Sequence, residues 1–428
     1  MFNAILLPFR HRLRIRENIR ESLIVLPIAG LVGSLFLAVL TVTIDTYVSQ
    51  SLTPGLDDLA ESSKTVIAAV GPAILTFLGV VFSITLVALQ MSSGQLSPRV
   101  VRLFVRNRIV KLTFTFFIAT FCYTLLVQYL SVRESSVQGG QFTPFLSGLV
   151  TMLLVITDLI LFVSYVHSTI KMMRLVEVIN VVTRETLALI KEYQKGSYLA
   201  STDRPARSTD VVRYRGRPGA LCEIDLRRLT RHARKRDLCL HLLVRPGDYL
   251  VEGTPVFGYS GSGQPSGRLL VDSLDVGEER SMQRDISFGF RQIADIGVRA
   301  LSPAVNDPTT AVQCIDRLQA LLRAAARIPE GLRAHSDRTG EVRLIEELPT
   351  WGSLMDLAFS EMRQYGADAA QVTRRLAAVY TDFTESKLPD PESVVSKHMK
   401  LLTLSMEEKV NDQELRRFAL TPDRQGIG

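Results

Sequence analysis

Four long apolar segments between Ser22 and His167 constrain this chain more than any motif does. A stretch of about 20 apolar residues is long enough to cross the roughly 30 Å hydrocarbon core as a helix. Lipid offers no partner to bare backbone groups, so each such segment must be helical. The expected spans run from Ser22 to Ile44, Val66 to Met91, Val110 to Val132 and Phe145 to His167. The first is too long for a signal peptide core, and Thr43-Ile44-Asp45-Thr46 is a poor cleavage site, so it reads as an anchor.

Charge near the span ends sets the orientation. Arg10, Arg12, Arg14, Arg16 and Arg20 precede the first span. Arg99, Arg102, Arg106, Arg108 and Lys111 lie between spans two and three, and Lys171 and Arg174 follow span four. The opposite face has Lys64 and Arg133 among Asp45, Asp57, Asp58, Glu61 and Glu134. Both termini, and the whole segment after span four, are therefore expected in the cytoplasm, with the spans in a bacterial inner membrane. The basic segment 1–21 alternates its arginines with Leu6, Leu7, Phe9, Leu13 and Ile15. It can lie in the headgroup interface or simply fix the topology.

The net charge of +7 owes much to those juxtamembrane arginines, so it does not indicate nucleic acid. Trp351 is the single tryptophan, and no basic, aromatic-interleaved pattern follows it. Four cysteines occur without a C-x-x-C. The set Cys222, His232, Cys239 and His241 fits no zinc spacing, so no metal or cofactor is expected.

The remainder divides by pattern. Residues 171–210 read as a helical stalk, then a linker rich in Ser, Thr, Arg and Asp. Residues 211–275 are β-rich, with strands at Val211–Arg215, Gly219–Ile224, Leu240–Val244 and a pair within Tyr249–Tyr259, and a basic helix at Asp225–Arg236. Residues 276–412 are mainly helical, apart from a strand at Glu341–Glu346, and 413–428 form a polar tail expected to fray. The fold class is thus a membrane protein with four transmembrane α-helices followed by an α+β cytoplasmic domain holding a small β-sandwich.

The segment Val244 to Val256, with Pro246-Gly247-Asp248 and Glu252-Gly253, resembles a half-motif of the barrel-sandwich domains used by biotinyl and lipoyl carriers. Such carriers need a lysine at a hairpin tip, and no lysine lies between Lys235 and Lys387. The resemblance therefore implies a shape and not swinging-arm chemistry. The loop Gly261 to Gly267 lacks the Gly-Lys-Ser/Thr ending of a P-loop.

The segment Ile296 to Ala311, containing Ala300-Leu301-Ser302-Pro303-Ala304-Val305-Asn306-Asp307-Pro308-Thr309-Thr310, is similar to the signature of a bacterial domain-of-unknown-function family described only as predicted membrane proteins. Phe82 to Arg99, with Gln90-Met91-Ser92-Ser93-Gly94-Gln95-Leu96-Ser97-Pro98, resembles that family's other marker. The resemblance covers nearly the whole chain and implies four spans, but carries over no activity and no catalytic residue. By their own chemistry, Ser302, Pro303, Asn306, Asp307 and Pro308 are expected to form a structural motif, in which Asp307 caps a helix that begins at Pro308. Coordination of a cation or phosphate by Asn306, Asp307, Thr309 and Thr310 is the competing reading. No paired carboxylate or nucleophile constellation stands out, so no enzyme is expected.

Asp158 is the most informative single residue. A carboxylate near the middle of a span costs about 3 kcal/mol on insertion scales and defaults to a functional hypothesis. It can line an aqueous path, be kept neutral by desolvation, or act as hydrogen-bonding glue. Thr151, Asp158 and Tyr165 recur every seven residues on one face of span four. Thr76, Ser83 and Gln90 make a second seven-residue stripe on span two, with Gly79 between, suited either to tight packing or to a pore wall. Span three carries Thr113, Thr115, Thr120, Tyr123, Thr124 and Gln128 all round, and is expected to face protein over much of its surface.

These features lead to an oligomeric cation channel, with Asp158 concentrating cations, Thr76, Ser83, Gln90, Thr151 and Tyr165 along the ion path, and the cytoplasmic domain gating or assembling it. The expected partners are a lipid bilayer, further copies of the chain and inorganic cations. The alternative is a non-conducting membrane scaffold or sensor that binds a partner or ligand through its cytoplasmic domain.

Overall fold

A computed structural model describes residues 24–49, 57–95, 107–138, 144–172, 174–199, 210–282, 284–329, 331–386, 388 and 393–426. The basic segment 1–21, most of the linker (200–209) and the loop between spans two and three (96–106) lie outside the described residues. The chain forms two compact units, residues 15–177 and 178–428.

The first unit is a four-helix bundle of α1 (Val25–Ser49), α2 (Asp57–Gln95), α3 (Arg108–Gln138) and α4 (Phe145–Met172). Each contains a stretch long and apolar enough to cross a membrane, close to the bounds expected from sequence. Its polarity is the reverse of a water-soluble bundle. Phe36, Met152 and Val163 face outward, while Thr113, Thr120, Thr124, Thr151 and Asp158 are buried inside. Lipid solvates the apolar exterior, and the interior can hold polar groups because the helices supply partners for most of them. Helix α3 packs against all three others, as its ring of hydroxyls foretold. Small residues allow the close approaches: a Cβ on Gly30 of α1 would meet the Thr115 methyl of α3, and one on Gly148 of α4 would stand 2.8 Å from the Ser63 hydroxyl of α2.

The second unit opens with α5 (Leu175–Gln194), whose face of Val178, Ile179, Val182, Thr186 and Ile190 is buried. The helix read from sequence as a stalk packs into this unit: Tyr193 donates to the Arg284 carbonyl at 2.8 Å and Gln194 to that of Ala324 at 2.7 Å. The stretch read as a linker begins with a short strand, β1 (Ser197–Leu199).

Next come β2 (Val211–Arg213), β3 (Gly219–Ile224), α6 (Leu226–Arg236), β4 (Leu238–Leu242), β5 (Tyr249–Leu250), β6 (Pro255–Gly261), the short α7 (Gly267–Val271) and β7 (Leu274–Gly277). Asp225 caps α6 by accepting from the Arg228 N–H at 2.9 Å, and Asp237, with φ 54°, ends it in the left-handed conformation. Alternation in Leu238-Cys239-Leu240-His241-Leu242 turns the three leucines inward.

The expected small β-sandwich proves to be two open sheets, and neither closes into a barrel. One has six strands in the order β1-β8-β9-β4-β6-β2, the other three in the order β5-β3-β7. They share a core that includes Leu221, Leu229, Leu240, Leu250, Phe257, Leu274 and Leu344. The larger sheet grows past the β-rich segment because β8 (Leu332–Ser336) and β9 (Val342–Glu346) join it, β9 lying parallel to β4.

Helices α8 (Ile286–Ala300), α9 (Pro308–Ala325), α10 (Trp351–Tyr365), α11 (Ala370–Glu385) and α12 (Val394–Lys409) complete the fold. Asp307 caps α9 as expected, accepting from the Thr310 N–H at 3.0 Å, and Asn306, with φ 47°, makes the sharp turn before it. The tail expected to fray instead forms α13 (Gln413–Leu420). Asp412 caps it, the Arg374 guanidinium lies 4.3 Å from the Phe418 ring, and Ala419 joins a small core with Ala367 and Met406.

Helix α8 crosses α5 at Gly289, where a Cβ would stand 2.0 Å from the Thr186 hydroxyl. Gly289→Ala is therefore expected to destabilise this unit by about 1–3 kcal/mol through overpacking, despite alanine's helix propensity being better by about 1 kcal/mol. Thermal unfolding checks this, and adding Thr186→Ala should recover most of the loss.

Candidate functional site

The interior of the bundle is built in three polar layers along α4. Ser147 and Tyr165 are separated by about 27 Å of helix, the thickness of a hydrocarbon core, with Asp158 between them.

At one end Asp45, the last charged residue of α1, is buried against the start of α4. Its carboxylate accepts from the Leu146 N–H at 2.8 Å, the Ser147 N–H at 3.0 Å and the Ser147 hydroxyl at 2.7 Å. A helix N-terminus has N–H groups without intrahelical partners and a partial positive charge, and an acid supplied by a neighbouring span satisfies both. Beside it, the Tyr123 hydroxyl donates to the Ser147 carbonyl at 3.3 Å and lies 3.0 Å from that of Thr41.

At the other end the Tyr165 hydroxyl donates to the Val81 carbonyl at 2.9 Å and sits 2.6 Å from the Thr85 hydroxyl. Asn107 donates to Ser168 at 2.8 Å. The hydroxyls of Tyr123 and Tyr165 and the Asp45 carboxylate, which organise the two end layers, all find partners within the chain.

The middle layer is open. Asp158 is 1% exposed, and neither carboxylate oxygen has a hydrogen-bond partner among the described residues. The Thr120 hydroxyl of α3 lies beside the carboxylate and interacts with it, but stands outside good hydrogen-bonding geometry. A cavity of about 80 Å³ adjoins the carboxylate, walled by Ile74 and Phe77 of α2, Phe117 of α3, and Leu159 and Phe162 of α4. Liquid water occupies about 30 Å³ per molecule, so the space is large enough for one or two waters or a small ion, with Asp158 the one polar residue among its lining residues. A buried polar group without a partner is costly, and such a carboxylate can be relieved by a proton, a water or a cation.

The structure brings together Thr151, Asp158 and Tyr165, which share the buried face of α4. It does not bring the span-two stripe to them. Ile67, Ile74, Val81 and Ala88 form the buried face of α2. Thr76, Ser83 and Gln90 lie two residues further on, about 200° around the helix, and are exposed on the outside of the bundle. The Thr76 and Ser83 hydroxyls donate to the carbonyls of Pro72 and Gly79, at 3.1 and 2.9 Å.

Ser302, Pro303, Asn306, Asp307 and Pro308 sit in the turn between α8 and α9. The Asp307 carboxylate is occupied by Thr310, through its N–H at 3.0 Å and its hydroxyl at 2.6 Å. Among the described residues no three His, Cys, Asp or Glu side chains gather as metal ligands. Of the four residues weighed from sequence, Cys222 donates to the Glu279 carbonyl at 3.1 Å, and His232 accepts from the Ser266 N–H at 3.2 Å.

Reading the sequence missed Asp45 as part of the site, since it counts there as an acidic loop residue beyond the membrane. In the sequence Thr120 is one hydroxyl among several on span three, and only helix packing selects it as the one beside Asp158.

A protein family described as "Predicted membrane protein (DUF2254)" matches residues 20–382. An uncharacterized protein of Mycobacterium tuberculosis is 26% identical over 374 residues, covering 84% of this chain and 71% of its own. An uncharacterized protein of Mycobacterium bovis is likewise 26% identical over 374 residues, with the same coverage. No solved structure matches the chain.

Proposed function

The chain belongs to the DUF2254 family of predicted membrane proteins, and from that premise we propose that it passes cations across the bilayer, with Asp158 as the intramembrane binding group. One observation carries this reading. Asp158 is a buried carboxylate at mid-span, without a hydrogen-bond partner among the described residues, beside a cavity large enough for water or an ion. Ionisable groups inside spans that face the bundle interior or an aqueous cavity commonly mark ion and proton paths.

Tyr165 and Thr151 flank Asp158 on the same face and would guide the ion toward and away from it. Four spans enclose little space, so the functional unit in this reading is an oligomer. The exterior strip of Thr76, Gly79, Ser83 and Gln90 is small and polar enough to serve as the contact between copies. The arginines before span one and between spans two and three would place both termini, and residues 178–428, in the cytoplasm, where that unit would gate or assemble the path.

A non-conducting scaffold or sensor is favoured by a different observation. Most bundle hydroxyls donate to their own helix: those of Thr85, Thr113, Thr115 and Thr151 each bond the carbonyl four residues back, at 2.7 to 2.9 Å. A bundle closed in this way needs no permeant ion for stability.

Proteoliposomes separate the two. Wild-type protein is expected to carry H⁺, Na⁺ or K⁺ flux, and Asp158→Asn to reduce it about tenfold or more, because it removes an attraction of several kcal/mol for a nearby cation. Equal flux through both proteins removes Asp158 from the path. No flux through folded wild-type protein, over a range of pH and potential, favours the scaffold.

A further inference from the structure

The C-terminal unit contains a cleft of about 680 Å³ that the bundle chemistry does not use. It lies between the exposed face of α6 and the end of the six-stranded sheet made by β1 and β8, and continues to Arg338 in the turn after β8. Arg227, Arg231 and Arg234 come from α6, at spacings that put them on one helix face. Arg333 and His335 come from β8, with Ser197 as a neutral polar group, while the Thr230 hydroxyl donates to the Leu226 carbonyl at 2.8 Å.

Among the described residues the charge of this cleft is not balanced. None of the ion pairs among the described residues includes Arg227, Arg231, Arg234 or Arg338. The one carboxylate in its wall, Asp337, is already committed: it accepts from the Thr339 N–H at 2.9 Å and from Arg343 Nε at 3.0 Å. Arg227 and Arg231 repel each other at i,i+4 spacing, a small cost that the fold bears without a counter-charge.

A run of arginines on a helix is ordinarily a solvated face, but the floor of the cleft distinguishes this one. Arg333 is 7% exposed, and its guanidinium is fixed by the Tyr193 ring 4.4 Å away and by Glu346, 3.2 Å from one terminal nitrogen. Its Nε has no hydrogen-bond partner among the described residues. That nitrogen lies at the Gly196 wall, where a Cβ would stand 2.8 Å from it. A pre-oriented guanidinium, its Nε covered by Gly196, thus forms the floor beneath four arginines that have no ion-pair partner among the described residues.

We propose that this cleft binds a polyanion bearing two or more phosphate groups. Guanidinium groups match phosphate oxygens in paired hydrogen bonds. Arg227 and Arg234 are about 10 Å apart along the helix axis, farther than one phosphate reaches, so the ligand carries its charge over a comparable length. The volume lies within the range of small-ligand sites, about 300–1,000 Å³. The lining residues include no Phe, Tyr or Trp on which a base could stack, so recognition is of the phosphates. The proposal does not depend on the role assigned to Asp158.

The test uses the full chain in nanodiscs of phosphatidylcholine, with calorimetric titration of inorganic triphosphate and ATP. A separate arm uses phosphatidylcholine vesicles carrying a phosphoinositide. Wild-type protein is expected to bind triphosphate or ATP if the source is a soluble polyphosphate, and only the phosphoinositide vesicles if the source is a headgroup. Either result supports the polyanion site.

Arg231→Glu with Arg234→Glu changes two exposed side chains of the cleft and should raise Kd about a hundredfold, the loss of two charge-assisted contacts. Lys235→Glu with Arg236→Glu makes the same charge change on the same helix, outside the cleft, and should raise Kd several-fold at most. Equal losses in the two double variants would mean diffuse attraction to a basic helix and would overturn the proposal. So would failure of folded wild-type protein to bind any of the three probes at low salt.

Discussion

Asp45→Ala is expected to destabilise the bundle by about 3 kcal/mol or more, as one acid satisfies three donors of another span and charged hydrogen bonds are each worth about 1.5–3 kcal/mol. The carboxylate bonds the Leu146 N–H, the Ser147 N–H and the Ser147 hydroxyl at 2.7 to 3.0 Å. Ordinary helix caps lose about 0.5–2 kcal/mol on replacement by alanine. The larger figure follows because Asp45 and Ser147 are buried and water cannot readily replace the lost acceptor. Asp45→Asn keeps one acceptor oxygen and should lose roughly half as much. Thermal unfolding in detergent, followed by circular dichroism, reads the difference. A loss in Asp45→Ala no larger than that of an exposed control such as Thr43→Ala would mean that the cap does not form.

The second large effect is expected at Glu346. This residue is 4% exposed and sits directly across from Arg333 in the β8–β9 pair. It accepts from Arg333 at 3.2 Å and lies 2.9 Å from His335 Nε2. Glu346→Ala strands the buried Arg333 without its counter-charge, and breaking a buried pair in that way costs about 3–5 kcal/mol. The same geometry sets a pH dependence. Burial pushes the Glu346 carboxyl up, but the hydrogen bond and charge of His335, together with the charge of Arg333, outweigh it and hold the group below the usual carboxylate range. A carboxyl depressed on folding contributes stability that is present above its unfolded value, near 4.3, and disappears as pH falls through the folded value. The wild-type C-terminal unit should therefore lose stability below about pH 4. Glu346→Gln, which cannot titrate there, should show a shallower acid limb in chemical denaturation.

Much of the fold was legible because local rules agreed with tertiary structure. The spans follow from length and hydropathy, Asp307 and Pro308 mark the start of α9, and alternating leucines in Leu238–Leu242 mark β4. Strand β8 was missed because Leu332-Arg333-Ala334-His335-Ser336 buries an arginine. A charge at a core position erases the alternation that identifies a half-buried strand, and its partner Glu346 lies in another strand. The inward face of α2 was not legible either. Its Ile74-Val81-Ala88 and Thr76-Ser83-Gln90 stripes have the same period, and only packing against α3 and α4 selects the first. Asp158 could be singled out from sequence because a mid-span carboxylate is costly wherever it points. Its empty surroundings belong to no single helix.

The parallel pair of β4 with β9 bears on how the chain acquires its structure. Leu240 sits opposite Leu344, so the larger sheet joins strands about a hundred residues apart, the kind of distant pairing that slows folding. Until synthesis has passed Glu346, β4 has β6 on one side only and offers the backbone of a hydrophobic edge on the other. The apolar spans emerge earlier and can insert while that edge still waits. Chains halted between Gly277 and Val342 should therefore be captured by chaperones or aggregate, whereas chains halted after Glu346 should resist limited proteolysis across β4 and β6.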